Sequence, residues 1–159
     1  MGTLKIKKLN SQAVLPVRKT DGSAGYDLAI PETVKVLCGR QVIPLGYAIQ
    51  LEKGTKADID PRSGFSSKGM EGYLSMSDLE NGRPSRFDCD VVHGMVDSDY
   101  TGPVGVIINN RSGYEFLLKR ESRIAQMVIT KYEAPDIVEV ETLDNTERGN
   151  GGFGHTGAI

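Results

Sequence analysis

The chain is 159 residues long, with 19 basic and 21 acidic residues and a formal net charge of −2. That length suits one domain, the near-neutral balance argues against coating nucleic acid, and no apolar run is long enough for a transmembrane helix. Cys38 and Cys89 are too few for a disulfide scaffold, and MGTLKIKKLN has neither an apolar leader nor a myristoylation pattern. The expected setting is therefore the cytoplasm, or a host's cytoplasm for a phage-encoded chain, without membrane attachment.

In chain order, hydrophobicity repeats with a period of two almost throughout. Leu4–Leu9 (LKIKKL) and Thr33–Leu37 (TVKVL) alternate as strands with one buried face do. Val42–Leu51 reads as a strand turned at Gly and Pro. Ser63–Met70 is the one place for a short helix. Met70–Asp90 mixes Gly, Ser, Pro, five acids and two arginines, and is predicted to be a long loop or hairpin excursion. Gly102–Asn109, Arg123–Thr130 and Asp136–Leu143 are the remaining predicted strands. Short β-rich runs separated by Gly, Pro and Asp turns point to an all-β sandwich or barrel. The end, NTERGNGGFGHTGAI, carries five glycines from Gly149 to Gly157 and is predicted to be mobile unless something binds it. The expected organisation is one β domain over 1–144 with an insertion near 70–88, followed by a flexible arm over 145–159.

Five short segments could carry chemistry, and each also has a plain structural reading. In the arm, Arg148 supplies a guanidinium, the glycines an anion-binding nest, Phe153 a stacking face and Thr156 a hydroxyl; the plain alternative is a disordered terminus. Asp60-Pro61-Arg62-Ser63-Gly64 fits a strand ending at a helix start, where free N–H groups attract anions and Ser63 can cap the turn. Gly94-Met95-Val96-Asp97-Ser98-Asp99-Tyr100 places a carboxylate beside an aromatic ring on a hairpin. Asp97 is there either a turn-former or a general base for water, and Tyr100 a platform for a sugar or base. Ser23-Ala24-Gly25-Tyr26-Asp27-Leu28 and Arg123-Ile124-Ala125-Gln126 read by default as buried strands with a satisfied polar residue. Neither histidine has a metal-ligand partner at useful spacing, so zinc is not expected.

Taken in order, AGYDL, PRSG, GMVDSDYTG, RIAQ and RGNGGFGHTG resemble the five motifs of the trimeric all-β dUTPase family, from Ala24 to Gly157. The resemblance implies a distorted jelly-roll-like β barrel, a homotrimer with exchanged C-terminal tails, and Mg²⁺-dependent hydrolysis of dUTP to dUMP and pyrophosphate. That reaction limits uracil incorporation into DNA and supplies dUMP for dTMP synthesis. By the same resemblance, Asp97 activates the water that attacks the α-phosphorus, and Tyr100 packs on the deoxyribose. Val91, Met95, Val96 and Gly105 stand where the family's hairpin reads uracil, largely through main chain. A buried unpaired backbone group can reject a wrong base by about 10⁴–10⁵-fold, which suits that mode of reading. Arg62, Ser63, Gly64 and Gln126 match phosphate-contacting positions. Asp27 matches the carboxylate that holds Mg²⁺ through water. Arg148 and Thr156 match γ-phosphate contacts, and Phe153 with Gly154 matches the segment that closes over uracil.

Pro61 and Asp97 lie 36 positions apart, a longer connection than compact family members have, with the added part near 70–88. It reads either as a neutral surface hairpin or as a contact for a protein partner. Two other functions are weighed against the hydrolase. A dCTP deaminase-like enzyme needs an acid where this chain has Ile107, and a nucleotide-sensing regulator would act through the 70–88 insertion.

Overall fold

The protein is described by a computed structural model that covers residues 2–151. Among these, the elements run β1 (Lys5–Lys8), β2 (Tyr26–Ala29), β3 (Val34–Val36), β4 (Gly39–Gln50), β5 (Thr55–Asp60), α1 (Ser63–Lys68), β6 (Met70–Gly72), α2 (Met76–Glu80), β7 (Ser85–Phe87), β8 (Cys89–Val91), β9 (Gly94–Val96), β10 (Pro103–Asn110), β11 (Phe116–Leu118) and β12 (Arg123–Lys131). The all-β expectation holds, and the predicted helix is α1.

Alternating burial explains how the strands assemble. Along β10, Val104, Val106, Ile108 and Asn110 are buried while their neighbours face outward. The same period-two pattern puts Ile43, Leu45, Tyr47 and Ile49 of β4, and Ala57 and Ile59 of β5, into one core. Two antiparallel four-stranded sheets supply most of it, in the orders β1-β4-β10-β8 and β2-β12-β5-β9. Their hydrogen bonds do not run on into a closed barrel; the inner faces meet over shared side chains, as in a sandwich. Each fully buried Leu or Ile contributes about 1.5–3 kcal/mol by leaving water. Within β4, Gly46 takes φ +76, a left-handed turn of the chain, and a Cβ there would sit 2.7 Å from Asn10 Nδ2. β4 pairs with β1 over Tyr47–Gln50, beyond this point, and with β10 mainly over Gly39–Pro44, before it.

The insertion is folded. β6 and β7 pair antiparallel, Met70 with Phe87, and Ser75 caps α2 by accepting from Asp78 N–H at 3.1 Å. Tyr73 and Leu117 exchange backbone hydrogen bonds of 2.9 and 2.7 Å, tying the insertion to β11. Met70 and Phe87 are buried, and the Phe87 ring stacks on Phe116 with centroids 4.1 Å apart.

Asp136–Leu143 is a correction to the strand expectation. Its alternation is real, but among the described residues no strand lies beside it, and positions 131–150 are all exposed. Ile137 and Leu143 are 99% and 85% accessible. Among the described residues, no helix is long and apolar enough to cross a membrane.

Candidate functional site

The polar candidates gather at one end of the β2-β12-β5 sheet. Register alone brings them together: Gln126 on β12 lies opposite Asp27 on β2 and opposite Asp60 on β5. β5 then runs through Pro61 into α1, whose first residues are Ser63 and Gly64. No side chain caps α1, and Arg62, not Ser63, occupies the cap position. The expectation that Ser63 caps the turn is therefore corrected. Phe65 and Ser66 N–H both donate to Arg62 carbonyl oxygen, at 2.9 and 3.1 Å, which leaves the Ser63 and Gly64 amides at the head of the turn. Gln126 Nε2 donates to Pro61 carbonyl oxygen at 3.0 Å, and a Cβ on Gly25 would press to 2.9 Å from Gln126 Oε1. The amide is thus held between the β5–α1 junction and the loop before β2.

Asp27 is the charged centre of this group. Arg62 Nε lies 3.0 Å from one carboxylate oxygen and Arg123 Nη1 2.8 Å from the other, while Arg62 Nη1 also donates to Arg123 carbonyl oxygen at 3.0 Å. The guanidinium carbon of Arg62 further sits 5.6 Å from the Phe65 ring centre. Both guanidiniums are thereby oriented beside a depression of about 840 Å³. Asp27, Arg62, Ser63, Gly64 and Gln126 all line it, and with Arg123 and others it presents five cationic side chains against three acidic ones. Such a surface suits a polyanion.

A second depression, of about 340 Å³, lies between β9 and β10 and is lined mostly by apolar groups. Met95, Val96, Asp97, Tyr100 and Gly105 line it, with Ile107 on its wall. Asp97 is exposed at the end of β9, and its carbonyl accepts from Tyr100 N–H at 3.2 Å. The Tyr100 hydroxyl donates to Pro103 carbonyl oxygen at 2.9 Å, so the ring closes over the turn. Opposite, β10 breaks register between Pro103 and Gly105, and a Cβ on Gly105 would meet Val42 Cγ1 at 2.6 Å. Gly105 therefore brings side-chain-free backbone to this wall of the slot, close against Val42.

The two depressions share no lining residue. A single chain thus keeps Asp97 in one depression and the arginine cluster around Asp27 in the other. Val91 lines neither; its side chain is buried beside Ile108, and Val92 takes the wall position. Arg148 lines neither, and its Nε donates to Gly151 carbonyl oxygen at 2.7 Å within its own turn. Phe153, Gly154 and Thr156 lie outside the described residues. Arg123, Lys68, Glu71 and Arg86 line the cationic cleft without having been singled out in the sequence as ligand contacts. Arg123 belongs to a quoted motif, and its signal lay in the two-for-one pairing with Asp27, which only the β2–β12 register reveals.

Among the described residues no three His, Cys, Asp or Glu side chains gather as a metal cage. The carboxylate in the cationic cleft best placed for a cation is Asp27, and each of its oxygens keeps a lone pair beyond its arginine. A single carboxylate of this kind fits a hard cation that takes oxygen donors and retains most of its water.

The chain is similar to known proteins of one family along nearly its whole length. The dUTPase family model matches residues 11–81 and 86–157, its interruption falling inside the insertion. The deoxyuridine 5'-triphosphate nucleotidohydrolase of Arabidopsis thaliana is 44% identical over 154 residues, covering 96% of this chain and 82% of the plant protein. A point mutant of the Staphylococcus bacteriophage 80alpha dUTPase, solved with dUpNHpp, superposes with a TM-score of 0.79 at 25% identity, covering 99% of both chains. A point mutant of the dUTPase of Staphylococcus aureus phage phi11, described as coordinating a structural Mg(II) ion, shares the fold with a TM-score of 0.72 at 23% identity, over 89% of this chain and 98% of that one.

Proposed function

The chain belongs to the dUTPase family and is a dUTP diphosphatase, and we propose that it works as a homotrimer whose sites each join the cationic cleft of one chain to the apolar slot of another. The observation that carries this reading is the separation of the two depressions. One is built for a triphosphate and the other for a ring, a sugar and a water, yet neither is complete. The exposed 133–151 segment supplies the reach for tail exchange, in which Arg148, Phe153, Gly154 and Thr156 close over a site on a neighbouring chain.

In that assembly uracil enters the slot floored by Gly105 and is read by backbone groups of the β9–β10 hairpin, with Val91 fixing its strand from inside. Met95 and Val96 line the walls, and Tyr100 packs on the deoxyribose, leaving no space for a 2′-hydroxyl. A site whose buried backbone groups must be paired rejects a mismatched base far more strongly than an apolar pocket rejects a methylene.

Arg62, the Ser63 and Gly64 amides and Gln126 hold the phosphates in line. Asp97 takes a proton from the attacking water; the new bond forms between the water oxygen and the α-phosphorus, and the bond from that phosphorus to the bridging oxygen breaks. The products are dUMP and pyrophosphate. Asp27 would hold Mg²⁺ through water, and the metal would supply neutralisation of the triphosphate charge. Arg123 is a positioning residue, since it shares Asp27 with Arg62. Ile107 cannot move a proton, which sets the slot apart from one that deaminates cytosine.

Pyrophosphate release from dUTP with Mg²⁺, run beside dCTP, dTTP and UTP, tests this function. Turnover of dUTP alone is expected, with a loss of about 10²–10⁴-fold in Asp97→Asn, the range for removing a general base. Equal turnover of UTP would contradict the role given to Tyr100.

A further inference from the structure

Phosphate contacts at the head of α1 use only part of the cationic cleft. Its far wall is built from the last residue of α1 and from the insertion: Lys68, Glu71 and Arg86 all line the same depression. Arg86, on β7, donates from Nη1 to Gly69 carbonyl oxygen at 3.1 Å and from Nη2 to Glu71 Oε2 at 2.9 Å. Lys68 forms no ion pair among the described residues.

This wall is rigid. Gly69 takes φ +78, and a Cβ there would lie 2.6 Å from Phe87 carbonyl oxygen, so the α1–β6 junction and the end of β7 are in direct contact. A Cβ on Gly72 would overlap the Phe116 ring, and the Phe87–Phe116 stack closes the other side. Arg86 is therefore displayed from a packed hairpin and needs no loop to order when a ligand arrives. Its partner Glu71 is half exposed, as is Arg86 itself, and an exposed ion pair is held weakly. A phosphate group offers a guanidinium the same two-oxygen geometry with more charge, and so displaces a single carboxylate.

We propose that the insertion is part of the substrate site: Arg86, assisted by Lys68, binds the β- and γ-phosphates and the departing pyrophosphate, and Glu71 holds the guanidinium in position until they arrive. This rests on the reading of the cationic cleft as the phosphate cradle. It makes the 70–88 segment a determinant of how tightly the polyphosphate end is held, distinct from uracil recognition in the slot.

The test is binding of dUpNHpp and of dUMP to the full-length protein and its variants. Arg86→Ala is expected to weaken dUpNHpp by about 5- to 30-fold, the range of one partly exposed charge-assisted contact, while dUMP stays within about twofold. Pyrophosphate should inhibit that variant correspondingly less. Arg86→Lys, which keeps the charge and the fold, should fall between, and Glu71→Gln should tighten dUpNHpp a few-fold by removing the competitor. The proposal is overturned if Arg86→Ala and Arg86→Lys both bind dUpNHpp as the parent does, if dUMP weakens as much as dUpNHpp, or if Glu71→Gln weakens dUpNHpp as much as Arg86→Ala. Arg62→Ala separates the two levels. Weak dUpNHpp binding in that variant with none lost in Arg86→Ala overturns only the role of the insertion, whereas undiminished binding in both overturns the cradle itself.

Discussion

The segments 70–88 and 133–151 are alike in composition and opposite in fate. Both are polar stretches with scattered apolar residues, and both lie outside the two main sheets. The first folds onto its own chain, burying Met70 and Phe87 against Phe116. The second leaves Ile137, Val138, Val140 and Leu143 in solvent. The difference lies in available partners. β11 offers an edge to the insertion through Tyr73 and Leu117, whereas the later segment meets no strand among the described residues. Apolar alternation shows that a segment needs a surface to bury against, and it does not say whose surface that is.

The sharpest way to break this comparison is Phe87→Ala. Losing a buried, stacked ring should cost about 3–5 kcal/mol, seen as a fall in thermal midpoint that does not depend on protein concentration. A loss below about 1 kcal/mol, well under that range, would mean that the insertion is loosely attached and that Arg86 has no rigid base.

The opposite behaviour is expected of the later segment. Leu143→Ser combined with Ile137→Ser should leave the secondary structure of the subunit intact but weaken the trimer, by about 3–6 kcal/mol per pair of side chains buried there. The midpoint should then rise with protein concentration, as linkage requires for an assembly. Analytical ultracentrifugation over a dilution series measures it directly, and an unchanged dissociation constant would remove this segment from the interface.

The smallest effect is chemical. Cys89 lies just beyond the insertion, buried, while Cys38 is exposed. Burial first, and then the neighbouring Asp90 and Asp88, pushes the Cys89 thiol up to about 12. A thiol reagent at about pH 8 should therefore titrate one cysteine in the native protein and two after unfolding. In Phe87→Ala the second thiol should begin to react slowly, which reports opening of the insertion while the rest of the domain stays folded.

Most of the fold was legible because the long strands bury one face and so write a period of two into the chain. Val104, Val106 and Ile108 are the clearest example. Asp136–Leu143 misled for the same reason, since it alternates without pairing with any described strand. The short strands β8, β9 and β11 have three residues each, too few for a period to register. At the site, the ordered motifs named residues that line the two clefts, Asp27, Arg62 and Gln126 in one and Asp97 and Tyr100 in the other. They could not show that Asp27 is shared by two arginines, because Arg123 is 96 residues away in sequence and meets it only through strand pairing. Nor could they show that Arg86 faces the cationic cleft, because nothing local to Pro84-Ser85-Arg86 says which way β7 turns.

Above all, the proposed trimer requires that the two clefts of one site come from different chains. Co-expression of Asp97→Asn with Arg62→Ala, carrying different affinity tags, tests this in a single assay. If one chain supplies the base and another the phosphate cradle, trimers that hold both variants regain intact sites, and random mixing should restore about a quarter of the parent's sites. Activity no higher than that of either variant alone would mean that both halves come from the same chain, and would contradict the assembly proposed here.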